Sequence, residues 1–157
     1  MLTEPLTVEW LPVGLVVGVG VGMVATLAMD VPMGWLPEGT TAPSVAAGTL
    51  GDQPLASAPE GVATAVHYAA GVGTGVLFLA VVVVVEWLLD VGTVVAVSVT
   101  AVGLFVVMNV FFSFVVLPMY DRVPDRRIGT VRRDWALSAA AHLVVTSVLV
   151  GVVVTLS

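Results

Sequence analysis

Four stretches of this chain, residues 11–30, 62–85, 93–117 and 135–156, carry no charge until Asp30 closes the first. A helix rises 1.5 Å per residue, so about twenty residues cover the roughly 30 Å of a bilayer's hydrocarbon core. Each stretch is long enough to cross a membrane, and the polar segments between them have to turn the chain round. Composition agrees: 59% of the 157 residues are hydrophobic and 10% charged, where soluble domains average about 45–50% and about 25%. Mean hydropathy is +1.11. The expected fold is all-α, an integral membrane four-helix bundle forming a single domain over 1–157. The first stretch is read as a retained helix rather than a signal peptide, since no positive residue precedes it and its apolar run is too long.

Topology follows from the arginines. All five (Arg122, Arg126, Arg127, Arg132 and Arg133) fall in segment 119–134, and positive residues in short loops stay cytoplasmic. That places both termini and the turn at Asp90 outside a plasma membrane, and the proline-rich segment 31–61 inside. Trp10 and Trp87 then mark the outer interface, with Trp35 and Trp135 at the inner one, as an aromatic belt requires. Anionic lipid headgroups are the other expected ligand of the arginines. Segment 31–61 is long for a connection, and such loops are usually functional or disordered. A short interfacial helix near 44–50 fits it, and Pro118 is expected to stop the third span.

Within the spans, small residues recur at helical spacing. Gly14, Gly18, Gly22 and Thr26 lead by fours to Asp30, and Gly71 and Gly75 repeat the spacing in the second span. Such stripes let helices approach closely. The chain also looks internally duplicated. Pro32-Met33 followed by Leu36-Pro37-Glu38 aligns with Pro118-Met119 followed by Val123-Pro124-Asp125. VATAVH, ending at His67, aligns with LSAAAH, ending at His142. Two helical hairpins in a parallel repeat are expected.

The two histidines are the only ones in the chain, and each sits six or seven residues into its span. They should share one depth with Asp30, Ser113 and Asn109, forming a polar intramembrane layer. Ionisable groups at that depth are costly and suggest function. Three roles stay open for His67 and His142: interhelical hydrogen bonding, proton or ion handling, and ligation of a metal or haem. Other chemistries are excluded. There is no cysteine for thiolate sites, and no lysine to form a Schiff base. No catalytic motif is present, so an enzyme is not expected. A net charge of −6 argues against nucleic acid as a partner. The expected partners are the bilayer itself and a homo-oligomer or larger membrane complex.

VATLAMD at the end of the first span, HY-x-x-G in the second, LPMY ending the third and a last helix with histidine before small residues resemble the YagU-like inner-membrane proteins and related small prokaryotic membrane domains. The resemblance covers most of the chain, Thr41–Glu60 excepted. It implies a four-helix membrane fold with Asp30, His67 and His142 at the family-like positions, and no established activity. The acidic, lysine-free, valine-rich composition separately resembles proteins of extremely halophilic archaea. The leading expectation is movement or sensing of a proton, ion or small solute, with a haem- or metal-binding subunit and an accessory or scaffold subunit as alternatives.

Overall fold

A computed structural model describes residues 11–156, with side chains over 13–154; Trp10 and its place in the aromatic belt lie outside the described residues. Among the described residues there are helices and turns and no strand. Helix α1 (Leu11–Trp35) is followed by α2 (Thr41–Gly51), a short 3-10 turn (Leu55–Ser57) and α3 (Glu60–Leu89). Helix α4 (Thr93–Phe111) runs through a π-helical stretch (Phe112–Val116) into α5 (Leu117–Met119), and α6 (Asp125–Leu156) closes the fold. Four of these segments, Val13–Trp35, Glu60–Leu89, Thr93–Met119 and Asp125–Val154, are long and apolar enough to cross a membrane. They form an antiparallel bundle in which α1 packs on α3, α3 on α4, α4 on α6 and α6 back on α1.

The outer surface is unlike that of a protein folded against water. Val16, Val94, Val102 and Val144 are well exposed, whereas Thr26, Thr100, Ser138, His142 and Thr146 are buried. Large exposed apolar surfaces are unusual in soluble monomers. A valine-rich outer surface is one that lipid tails would accept, and the interior mixes apolar side chains such as Phe78, Val82 and Leu143 with small and hydroxyl groups. Three of the buried hydroxyls bond within their own helix: Thr26 donates to the Gly22 carbonyl (2.7 Å), Ser138 to that of Asp134 (2.9 Å) and Thr146 to that of His142 (2.9 Å). This arrangement suits a multi-pass membrane protein.

Helix ends depart from the apolar stretches in a consistent way. Helix α1 continues past Asp30 to Trp35, and α6 begins ten residues before Trp135, so segment 119–134 is a loop only as far as Pro124. Within segment 31–61, α2 covers the short helix expected near 44–50 and runs past it at both ends. Hydropathy marks what lies in lipid, whereas helix length follows backbone bonding and packing. The first turn of α6 carries Asp125, which favours a helix N-terminus. The next turns bury Val131 and Asp134 against the α1–α2 connection and α2. That second cluster, with Val45, Phe112, Leu117, Tyr120 and Val123, closes the arginine end of the bundle. At the opposite end α3 stops at Asp90, whose left-handed φ of 51° an aspartate tolerates, and Gly92 starts α4.

Pro118 does not end its helix; it changes the helix register. Lacking an N–H, it cannot bond the Phe114 carbonyl four residues back. The chain takes wider π spacing there, with the Leu117 N–H reaching Phe112. The Ser113 carbonyl thereby loses its usual donor, Leu117, and its five-residue donor would be Pro118 itself. Arg132 supplies the missing bond, its guanidinium donating to Ser113 O at 3.0 Å. π-Bulges of this kind are frequent near functional sites.

Candidate functional site

The site begins with the glycines. A Cβ built on Gly22 would lie 2.8 Å from Val72 Cα, and one on Gly18 would lie 2.8 Å from Val76 Cα. A Cβ on Gly75 would meet the Gly22 backbone at 2.5 Å, and one on Gly71 would collide with the Thr26 hydroxyl. Helices α1 and α3 thus touch backbone to backbone in antiparallel register. Gly14 makes no such approach, with nothing within 4 Å of its Cβ position. One turn beyond Thr26, the same register brings Asp30 to His67.

Asp30 lies on a helix face, well inside α1, and both of its oxygens are engaged. His67 Nε2 is 2.8 Å from Oδ1, and the Tyr68 hydroxyl donates to Oδ2 at 2.6 Å. The Tyr68 ring stands edge-on to His67 with centroids 5.3 Å apart. The carboxylate is 41% exposed, while the imidazole is 10% exposed. The exposed side of Asp30 opens onto a cleft of about 500 Å³ lined by Thr40, Ser44, Glu60, Thr64, His67 and Tyr68 among others.

Behind His67 lies a pocket of about 40 Å³, whose walls include His67, Gly71, Thr74, Met108, Trp135 and His142. His142 is 1% exposed, and neither ring nitrogen has a hydrogen-bond partner. Trp135 Nε1 is also buried without one. The pocket has room for about three or four waters, since each needs about 10–15 Å³, and these groups are what such waters would bond. His67 therefore separates a wide cleft from a small, mostly apolar recess that holds the His142 ring.

Of the expected polar layer, Asp30, His67 and His142 come together around the two cavities. Asn109 and Ser113 do not join them. Asn109 donates to the Phe105 carbonyl of its own helix (2.7 Å), and Ser113 takes part through its carbonyl, with Arg132. Among the described residues no group of three or more acidic, histidine or cysteine side chains is placed to hold a metal ion.

Sequence reasoning overlooked Tyr68, Glu38 and Asp134. Arg127 grips Glu38 with two 2.6 Å bonds, and Thr41 donates to the same carboxylate. Asp134, fully buried, accepts from the Glu38 backbone N–H (2.9 Å) and from Arg133 (2.8 Å). Together they clamp the connection between α1 and α2, hence one wall of the cleft, to α6. The signal for Asp134 was its spacing: Asp134, Ser138, His142 and Thr146 recur by fours and are all buried. The remaining arginines are placed differently. Arg122 pairs with Asp52 at 2.7 Å, Arg132 also lies 5.4 Å over the Phe114 ring, and Arg126 is exposed.

The Arg127 bonds hold the Glu38 carboxyl below its ordinary 4.5. A depressed carboxyl contributes stability above its unfolded pKa and loses it as pH falls through the folded value. Glu38→Gln should therefore destabilise the bundle by about 1–3 kcal/mol at neutral pH, with wild type and variant converging below about pH 4. Thermal unfolding in detergent across pH checks this, and a gap that widens in acid would refute it.

Compared with known proteins, the chain matches no family model, no curated protein and no solved structure.

Proposed function

We propose that this is a membrane protein that moves or senses protons, or a small solute coupled to them, through Asp30, His67 and His142. The observation that carries the reading is the position of His67: ion-paired with Asp30 on the cleft side and bordering the recess of His142 on the other. Asp30 offers one oxygen to His67 Nε2, and Tyr68 holds the second carboxylate oxygen in place. A proton arriving from the cleft rests on His67. Waters in the recess offer a route from there to His142. The unpartnered nitrogens of His142 make one donor and one acceptor available in either neutral tautomer. Duplication of an ancestral hairpin accounts for one histidine on each of α3 and α6, which stand across the bundle from each other. With the arginine end cytoplasmic, the cleft opens to the cytoplasm.

The haem alternative has less support. The space shared by His67 and His142 is about 40 Å³, against about 300 Å³ or more for pockets that take larger ligands. His67 Nε2 is also already engaged by Asp30.

Proteoliposomes loaded with a pH-sensitive dye test the proposal. Wild type should dissipate an imposed pH gradient, or change conformation across the titration of His67. Asp30→Asn and His67→Ala should each lower that response by about tenfold or more, as loss of a charge partner implies. Flux and pH response unchanged by both substitutions would leave packing as the role of these residues.

A further inference from the structure

The cleft has a chemistry of its own. Its volume of about 500 Å³ is in the range of pockets for small organic ligands. Its charged groups are Asp30, Glu60 and His67, and no arginine lines it. The hydrogen-bonded arginines are engaged elsewhere, with Asp52, Glu38, Asp134 and the Ser113 carbonyl. Thr40, Ser44 and Thr64 add hydroxyl oxygens, and Met33, Pro43 and Ala58 add apolar wall. Asp30 is bonded by two groups that carry no obligatory charge. Whenever His67 is neutral, the carboxylate is uncompensated in a site bordered by lipid-embedded helices.

We infer that the cleft binds a small organic cation, a protonated primary amine with an apolar body, in competition with the proton on His67. The ammonium group takes the exposed side of Asp30, the hydroxyls accept its remaining N–H bonds, and its carbon chain lies on the apolar wall. Asp30 is shared by the two sites and can compensate only one of an ammonium and an imidazolium, since Glu60, exposed to solvent, is screened. Amine binding therefore expels the His67 proton to solvent in the cleft, one proton out for each amine in. This inference rests on the proposed proton handling and names the solute coupled to it. The groups facing His67 are Asp30 from α1, Glu60 and Tyr68 from its own helix and His142 from α6 across the recess. Those that α2 and α4 present to the two cavities, Ser44 and Met108 among them, do not titrate.

The test is calorimetric titration of the full chain in nonionic detergent with n-butylammonium, using 1-butanol as the neutral comparison. Runs in two buffers of different ionisation enthalpy count the protons released. Butylammonium should bind and butanol should not. Affinity should fall about tenfold per pH unit on the acid side of the His67 titration, with about one proton released there. Asp30→Asn should weaken binding by about a hundredfold. Glu60→Gln, an exposed position whose loss leaves the fold intact, should weaken it by about threefold. Equal binding of butanol, no proton release, or affinity unchanged in Glu60→Gln and Asp30→Asn would overturn the inference. Adding an ethanolamine lipid distinguishes sources: it lowers the apparent butylammonium affinity if a lipid headgroup is the natural amine and leaves it unchanged if a free amine is. NMR titration of the His67 ring separates the two levels of argument. If His67 titrates but butylammonium does not bind, the amine fails and proton handling stands. If His67 does not titrate, both fail.

Discussion

Gly75→Val should prevent the bundle from assembling, whereas Gly73→Val, two residues away on the same helix, should fold. A Cβ at position 75 would lie 2.5 Å from the Gly22 backbone nitrogen and Cα and would also strike the Gly18 carbonyl; at position 73 nothing lies within 4 Å. The obstacle at 75 is backbone, which cannot swing aside as a side chain can. Inserting even one methyl group into a packed interior costs about 1–3 kcal/mol, occasionally more. With two helices in contact along Gly18, Gly22, Gly71 and Gly75, relief requires moving α1 off α3 as a unit. The milder Gly75→Ala should then cost about 3 kcal/mol. It should also reduce proton response, because Asp30 has a short side chain and reaches His67 only while the helices touch. Unfolding of each variant in detergent, followed by circular dichroism, gives the comparison. Equal stability of the 73 and 75 variants would show that the glycine contact is not what holds α1 to α3.

That contact explains why much of the bundle was legible in the sequence. Four-residue spacing of small groups depends only on helix geometry, so Gly18, Gly22, Gly71 and Gly75 point to a close helix pair from the sequence alone. The same regularity put Asp30 in line with them. What the spacing left open was the partner. His67 faces Asp30 because α3 runs antiparallel to α1 in one particular register, and register depends on which backbones can touch. Tyr68 is a neighbour of His67 in sequence, and adjacent helical residues do not normally share a face. Both reach Asp30 only because its two oxygens lie between their side chains. Glu38 and Asp134 were hidden for another reason. They sit where apolar stretches end, and hydropathy assigns such residues to loops, although α6 continues through Asp134 as helix. Asn109 and Ser113 show the opposite error. Equal depth along the bundle places residues in one layer but does not say which way they point, and these two bond within α4 and to Arg132.

Direction also decides between the structural and functional readings of His142, through an effect of opposite sign. If this histidine were an interhelical tie, His142→Leu would remove bonds and weaken the bundle. In the structure its two nitrogens are buried without a well-formed bond, although the Ala25 backbone of α1 lies beside the ring, and a buried polar group left in that state costs about 1–3 kcal/mol. Water in the adjoining recess returns part of that energy, and leucine fills a similar volume without needing it. His142→Leu should therefore leave the protein as stable as wild type or raise its stability by about 1–2 kcal/mol. The same substitution should abolish proton passage beyond His67 while leaving the Asp30–His67 pair and its titration intact. Stability gained with function lost is the expected signature of a group kept for its chemistry. Unfolding in detergent and dye-reported flux in liposomes, on one preparation, measure both halves. A variant destabilised by about 2 kcal/mol or more, with flux unchanged, would return His142 to the packing of α6 against α1.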